Sequence, residues 1–506
     1  MKSSDLYAFL CFIGAVSSGA RWLRVAQREH YLAFSTTRFA IRWWTLGVAN
    51  PALVTVALAA AASCLWFPPV CVITALAVCI GPLGLGLRGK TSPLAWTRRL
   101  RAVAFTAFLF VAITSLLFRQ FGLGPAGCAA VALLTPLVVD TVLVLLKPVE
   151  GRLARRYVIQ AADALDRVNP TRIAVTGSYG KTTIKGYISH LLSGTFSVVA
   201  SPASFNNSAG LSRSVNEHLA QGTEVFVAEM GAYGPGEIAD LVSWIRPSIS
   251  VLAAIGPVHL ERFGDLDTIV ASKTEVFSTS RTAIVNIDAY GLAEEADRLQ
   301  VSGIDVLRCS ANDRTADVVV LKHLQGLQVI VSGRQVLTGL AVDAAPTNVA
   351  CAVAVATTMG IPDEIVAQRL TNLPAVEHRG QVLVSQSGVT VIDDTYNSNP
   401  AGAASALETL GELDAPRKAV VTPGMVELGH RQVAENRRLG VDASLVADDL
   451  VIVGRTNKSA LVTGSRDGNA RVHFVSGRED AVRWVRQHLK AGDAVLYEND
   501  LPDHYA

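Results

Sequence analysis

The pattern of apolar and polar positions divides the chain near residue 147. Before that point long uncharged runs dominate; after it, short apolar runs alternate with amphipathic ones. Five apolar stretches fill the first part, near residues 6–20, 46–67, 70–87, 102–118 and 121–146. Most approach the ~20 residues a helix needs to cross a bilayer, the first being short and the last long. The reading is a membrane domain over 1–149 with about five transmembrane helices. A cleaved leader fits poorly, because Met1-Lys2 is a thin basic region and more apolar spans follow. Residues 150–170 read as an amphipathic linker helix, either an interfacial brace or a plain linker, ended by Asn169-Pro170.

Charge orients these spans. Arg21, Arg24, Arg28, Arg38 and Arg42 fall between the first two runs, and Arg88, Lys90, Arg98, Arg99 and Arg101 between the third and fourth. The alternate connections hold little beyond Arg119. By the positive-inside rule both basic segments are cytoplasmic, the N-terminus is outside and everything after Lys147 is inside. Asp140 is the one acidic residue within a span, either a functional carboxylate or one turned to a helix interface.

After residue 170 the periodicity is that of an α/β protein. Apolar residues 173–175 end a buried strand, the turn Gly177-Ser178-Tyr179-Gly180 follows, and Lys181-Thr182-Thr183 opens a helix to residue 192. Strand, glycine-bearing loop and helix N-terminus in that order make an anion site, with backbone N–H groups and the helix end both favouring phosphate. Lys181 is placed to reach the β- and γ-phosphates and the Thr182 hydroxyl to meet Mg²⁺. The loop is short, since Val175 stands where the common pattern has its first glycine. A plain turn is the alternative. Residues 225–228 form a strand that ends in Glu229, a carboxylate well placed for magnesium beside a phosphate loop. A further strand near 248–255 leads to His259, an amphipathic helix over 268–277 carries Lys273, and a strand near 283–287 ends at Asn286 and Asp288. Taken alone, His259 passes as structural and Lys273 as a solvated lysine.

Together these motifs resemble the Mur ligase family, in its D-alanyl-D-alanine-adding branch. The resemblance rests on Thr176–Thr183, on Ser204-Phe205-Asn206-Asn207-Ser208, and on Glu229-Met230-Gly231-Ala232 with Pro235-Gly236-Glu237-Ile238. Gly256-Pro257-Val258-His259-Leu260-Glu261-Arg262-Phe263-Gly264, Ala271-Ser272-Lys273-Thr274-Glu275 and Asn286-Ile287-Asp288 continue it in order. It implies an ATP-binding central domain over 171–376 and a C-terminal domain over 377–506. It also implies an ADP-forming carboxylate–amine ligase that uses ATP and two Mg²⁺. Lys181 and Thr182 then hold phosphates and the first magnesium, with Glu229 as its carboxylate, and His259 meets the second. Lys273 matches a lysine that members carry as a carbamate, which requires a depressed pKa. Asn206 and Asn207 match positions near the acceptor, or are turn asparagines. Gly177, Ser178, Tyr179, Gly180, Thr183, Asn286, Asp288, Asn348, Arg379 and Asp394 are implied at the nucleotide, and Tyr396, Asn397 and Asn399 at the substrates.

Strands near 389–392, 418–422, 449–453, 471–474 and 494–497 with helices between them predict a small Rossmann-like C-terminal domain. The overall fold class is thus an α-helical membrane domain plus α/β, with a phosphate-loop ATPase-like central parallel sheet. Three departures from the branch stand out. Gly424 occupies a position where aspartate is usual, Glu498 and Asp500 replace a Lys-Gly-Ser ending, and membrane spans replace the UDP-sugar-binding domain. Exchanging a cation for Glu498 and Asp500 should repel a substrate's carboxylate end.

Composition refines this picture modestly. Half of the 506 residues are hydrophobic, the mean hydropathy is +0.34, and the excess lies before residue 147. A net charge of +2 gives no reason to expect nucleic acid. The seven cysteines form no metal or disulfide spacing and read as small buried hydrophobes. The function these features imply is ATP-driven amide formation at the bacterial-type inner membrane, adding an amino acid or dipeptide donor to a cell-envelope acceptor, possibly lipid-linked. A transport-energising ATPase and an envelope-enzyme scaffold are the alternatives.

Overall fold

The structure, a computed structural model, describes residues 3–86, 94–203, 205–323, 326–340, 344–374, 381–395, 398–501 and 505. The chain forms two compact units: Met1–Leu153 with Gly454–Thr456 and Leu501–Ala506, and Ala154–Val453 with Asn457–Asp500.

The first unit is helical. Its core gathers Trp22 and Leu23, Phe39 and Trp43, Leu100 and Val103, Val139 and Val142. Two described helices are long and apolar enough to cross a membrane, Asp5–Arg28 and Arg98–Gln120. Counting the bent pairs Ser35–Trp44 with Ala49–Ser63 and Gly124–Leu133 with Thr135–Val168 as one span each brings the number to four, not the five expected. Helix breakers explain the shortfall. Pro68-Pro69 and Gly81-Pro82 confine the third run to the helix Cys71–Ile80, too short to span alone. The first helix extends to Arg28, so Arg21, Arg24 and Arg28 are helical, not loop charges. Arg21 is buried and donates to the carbonyls of Val78 (3.2 Å), Gly81 (2.6 Å) and Cys79, closing the end of Cys71–Ile80. Arg88 and Lys90 lie outside the described residues.

Asp140 is wholly buried and accepts from Thr36 N (3.3 Å), Thr37 N (2.7 Å) and Thr37 Oγ1 (2.6 Å). It therefore serves as the anionic cap of the helix Ser35–Trp44, whose own N-cap residue Phe34 makes no side-chain cap. All seven cysteines are free thiols. Cys11, Cys64, Cys71 and Cys128 share one buried apolar cluster, in keeping with the reading of them as small hydrophobes. The stretch expected as a separate linker helix is instead the end of one helix, Thr135–Val168, which tolerates Pro148 in its interior. Within the second unit its residues Ala161 and Leu165 pack with Phe226, Trp244 and Ile245.

The second unit holds two sheets. The larger comprises β1 (Thr171–Thr176), β2 (Val198–Ala200), β3 (Val225–Glu229), β4 (Ile249–Leu252) and β5 (Thr282–Asn286). It is completed by β6 (Asp305–Ser310), β7 (Val318–His323), β8 (Gly326–Val331) and β9 (Arg334–Leu340). Their order is β2-β3-β1-β4-β5-β6-β7-β8-β9, parallel through β7 and antiparallel beyond. β1 is thus interior, paired with β3 and β4, and Val175 registers with Glu229. Strands β6 to β9 were not anticipated. Ser332 and Gly333 both take positive φ (48° and 73°), the geometry of a two-residue hairpin turn between β8 and β9.

The helix Lys181–Leu192 leaves β1 and packs with Pro346–Thr358, whose residues Val349–Ala356 are all buried. The smaller sheet contains β10 (Gln381–Val384), β11 (Thr390–Asp394), β12 (Lys418–Thr422), β13 (Asp449–Val453), β14 (Arg471–Val475) and β15 (Ala494–Glu498). Its order is β10-β11-β15-β12-β13-β14, parallel except for β10 against β11, which agrees with a Rossmann-like C-terminal domain.

Candidate active site

The loop after β1 takes its shape from two glycines. Gly177 has φ 149°, and a Cβ there would come within 3.0 Å of Ala253 Cβ and Ala254 N. Gly180, at φ 78°, is the N-cap of the helix Lys181–Leu192, and a Cβ there would meet Asn348 Oδ1 at 2.6 Å. A side chain at either position would collide with the segment after β4 or with Asn348, and both φ values favour glycine. Ser178 fastens the loop to the segment after β4. Its N–H donates to Ala254 O (2.7 Å), its hydroxyl to Gly256 O (3.2 Å), and Gly256 N donates back to that hydroxyl (3.1 Å). The Tyr179 ring lies where a Gly256 side chain would stand, and burial pushes its phenol pKa up. Ser178 and Tyr179 thereby act as structural braces of the loop. Lys181 Nζ donates to Gly177 O (2.7 Å) and Ser178 O (3.3 Å).

Glu229 ends β3 one strand away and is 1% exposed. Asn206 Nδ2 donates to its Oε1 (3.2 Å), and Lys185 Nζ lies 3.1 Å from its Oε2. That ion pair has no hydrogen-bond alignment, so Oε2 is a buried oxygen with no hydrogen bond. Lys185 was not anticipated. Its signal was available, because it stands four residues after Lys181 and so shares a helix face with it. Asn206 bonds to Glu229 and packs on Gly231, where a Cβ would approach it to 2.8 Å, so it supports the carboxylate directly. Asn207 caps the helix Ser208–His218 by accepting from Gly210 N (2.9 Å), the turn role left open above.

Lys273, on the helix Leu266–Thr274, is 3% exposed and not the solvated lysine its helix suggested in isolation. Its Nζ contacts Ala232 O at 3.5 Å. Burial first, then the charge of Lys181, lowers its pKa to about 7. His259 has φ 56° and begins the short helix Leu260–Phe263. Its Nδ1 donates to Glu427, a residue of the C-terminal module, and Tyr233 meets its ring edge-on at 4.7 Å. Burial depresses the pKa of His259 against the opposing pull of Glu427.

The remaining positions divide. Asn348 touches the loop at Gly180. Asn286 donates to Ala253 O (2.6 Å), and Asp288 accepts from Ser310 Oγ (2.5 Å) and Ala311 N (2.7 Å), so both tie strand ends together. Asn399 caps the helix Pro400–Glu412. Arg379, Tyr396 and Asn397 lie outside the described residues. Among the described residues no three His, Cys, Asp or Glu side chains converge as a metal cage. Magnesium held by one carboxylate, a hydroxyl, phosphates and water needs none, and Glu229 would join it by exchanging the Lys185 ammonium at Oε2 for the metal ion.

Glu498 corrects an expectation. It is fully buried, accepts from the Ser398 hydroxyl, and faces Asp394 in register across β11 and β15. Burial, then the Asp394 charge, raises its pKa well above the ordinary carboxylate value. Asp500 pairs with Arg478 at 2.8 Å. Neither presents the free negative charge that repulsion of a substrate carboxylate requires. Gly424, at φ 77°, leaves room for Asn436 and Asn457, which a Cβ would meet at 2.3 and 2.8 Å. The aspartate usual there has no space in this loop.

Comparison with known proteins agrees with this arrangement. The Mur ligase middle domain matches residues 175–356, and the Mur ligase glutamate ligase domain matches 378–497. UDP-N-acetylmuramoyl-tripeptide–D-alanyl-D-alanine ligases of Mycobacterium bovis and Mycobacterium tuberculosis are each 32% identical over 355 residues. The match covers 64% of this chain and 69% of each relative. The MurF ligase of Thermotoga maritima, solved with ADP, superposes with a TM-score of 0.59 at 25% identity, covering 69% of this chain and 80% of that one. MurF from Acinetobacter baumannii shares the fold, with a TM-score of 0.58 at 23% identity over 69% of this chain and 77% of that one. The first 174 residues lie outside both family domains. With both family domains matched in order and relatives at 32% identity covered over 69% of their length, this chain belongs to the Mur ligase family of ATP-dependent, ADP-forming ligases.

Proposed function

We propose that the chain is a membrane-anchored amide ligase. It activates a carboxylate of a cell-envelope precursor or polymer with ATP and joins an amino acid or short peptide to it. The observation that carries this reading is the buried carboxylate Glu229 at the strand end beside the phosphate loop, with the buried, pKa-lowered Lys273 in the same module. In this reading residues 171–376 bind ATP, and residues 377–506 close over them.

An acceptor carboxylate oxygen attacks the γ-phosphorus while the bond to the β-phosphate oxygen breaks and ADP leaves. The amine nitrogen then attacks the acyl carbon of the acyl phosphate, phosphate departs and the nitrogen gives up a proton. Lys181 and the loop N–H groups offset charge on the transferring phosphoryl oxygens. Thr182 and Glu229 would hold one Mg²⁺, and His259 with Lys273 a second, supplying further neutralisation of phosphoryl charge. At a pKa of about 7 much of Lys273 is an uncharged amine near neutrality. Addition of CO₂ to that neutral amine forms an N–C bond, releases one proton and gives a carbamate anion that would orient a metal. Asn348 would line the nucleotide loop; Arg379, Tyr396 and Asn397 are proposed at nucleotide and substrates from the resemblance alone.

The first unit supports membrane anchoring through its exterior. The helix Arg98–Gln120 turns Phe105, Leu109, Ile113 and Leu116 outward, a surface suited to lipid. An anchored ligase in place of a soluble one fits a lipid-linked acceptor, with the ATP site on the cytoplasmic side. The test is ADP release by the purified full-length protein, supplied in turn with lipid-extracted and water-soluble envelope fractions plus an amine panel. Release that requires both a lipid fraction and an amine supports the reading. Equal release with the water-soluble fraction removes the lipid-linked acceptor, and release with neither favours a transport ATPase.

A further inference from the structure

The central and C-terminal modules meet at a half-buried polar contact that no sequence motif links, because its partners are 168 residues apart. On the C-terminal side is Glu427, at φ 63°, in the loop Pro423–Gly429. Five hydrogen bonds from asparagine side chains hold that loop from behind. Asn436 Oδ1 accepts from Met425 N (2.8 Å), Asn436 Nδ2 donates to Met425 O (2.8 Å), Asn457 Nδ2 donates to Pro423 O and Met425 O (both 3.0 Å), and Asn499 Nδ2 to Gly424 O (2.6 Å). The result is a rigid platform that presents one carboxylate.

On the central side that carboxylate meets two groups. His259 Nδ1 donates to Oε2, and Arg262 Nη2 donates to Oε1 at 3.2 Å. Arg262 also lies 4.8 Å over the Tyr233 ring, and Tyr233 abuts His259, so the three side chains orient one another. Gly429 packs so closely that a Cβ would come within 3.3 Å of Glu261 N. Both His259 and Glu427 occupy the left-handed backbone region, a cost borne where geometry is specified by function.

A carboxylate on Nδ1 fixes a histidine's tautomer and leaves Nε2 as its metal-binding nitrogen; such outer partners typically govern metal affinity about 10- to 100-fold. We infer that Glu427 is a positioning residue acting through His259. The C-terminal module supplies the outer carboxylate of a metal-binding histidine on the central module, so cation affinity and apposition of the two modules are one linked equilibrium. This rests on the reading of His259 as a metal ligand.

The test uses the full-length protein in detergent with Mn²⁺ and ADP, free Mn²⁺ being counted by electron paramagnetic resonance. Amide exchange is followed over residues 256–264. Glu427→Gln, which keeps the side-chain shape, should weaken the histidine-dependent Mn²⁺ site about tenfold. It should also speed exchange around His259 while metal-free ADP binding stays within twofold. Glu427→Asp should recover part of the Mn²⁺ affinity. Native Mn²⁺ binding by Glu427→Gln, with loss in His259→Ala, would overturn the inference and leave the ligand reading standing. Native binding by His259→Ala would remove the ligand reading and the inference with it.

Discussion

Two buried glutamates end parallel strands of the two modules, and their surroundings assign them opposite characters. Glu229 ends β3 beside the ammonium of Lys185 and the amide of Asn206. Glu498 ends β15 beside a second carboxyl, Asp394, and the hydroxyl of Ser398. The first arrangement complements a carboxylate charge, with an ammonium at one oxygen and an amide donor at the other. The second discourages ionisation, through burial first and then the Asp394 charge. Position at a strand end is therefore insufficient to define a ligand; the neighbouring charge decides.

The comparison is open to attack by substitution. The largest effect belongs to Lys181→Ala, which should lower ATP turnover by on the order of 10³-fold with the fold intact, read as ADP release and circular dichroism. Normal turnover would displace the chemistry from the phosphate loop. Next, Lys185→Met leaves the Glu229 charge buried and unmatched, and should cost about 3 kcal/mol in denaturant unfolding. The double variant Lys185→Met/Glu229→Gln should regain most of that stability. Gly424→Asp, which installs the residue usual elsewhere in the family, should cost about 2 kcal/mol because φ 77° and Asn436 both oppose it.

Glu498→Gln sharpens the other half of the comparison. The folded pKa of Glu498 lies well above the ordinary glutamate value, so the folded state binds this proton more tightly than the unfolded chain. The group's contribution is fully retained below pH 4.5 and is lost as pH rises towards the folded value. The glutamine variant should match the native protein near pH 4.5 and become the more stable of the two as pH rises towards 7.5, in paired unfolding curves. A loss that deepens with pH would mean that Glu498 acts as an anion. Smallest, Asn207→Ala and Asn399→Ala should each cost about 1 kcal/mol of stability as lost caps. A large fall in turnover at full stability would instead return them to substrate binding.

Locally encoded features were legible in the sequence. The strand, glycine turn and lysine at 173–181 lie within nine residues, and the glutamate ending β3 follows an unbroken apolar run. The depressed pKa expected of Lys273 agrees with its burial. What could not be read depends on groups brought together by tertiary folding. His259 and Glu427 meet across two modules, and the raised pKa of Glu498 follows from its burial and then from Asp394 on the neighbouring strand. In the first unit hydropathy marked the apolar runs but not where helices end. Proline and glycine at 68–69 and 81–82 cut the third apolar run to a helix too short to cross a membrane alone, and Asp140 turned out to be a helix cap.

The central claim is that ATP cleavage is coupled to amide formation on an envelope acceptor. Mass spectrometry of products from membrane extract, ATP and a panel of amino acids and dipeptides tests it directly. The account predicts a product whose mass is acceptor plus amine less one water, formed in step with ADP and absent with Lys181→Ala. ADP formed at the same rate with no such product would contradict it.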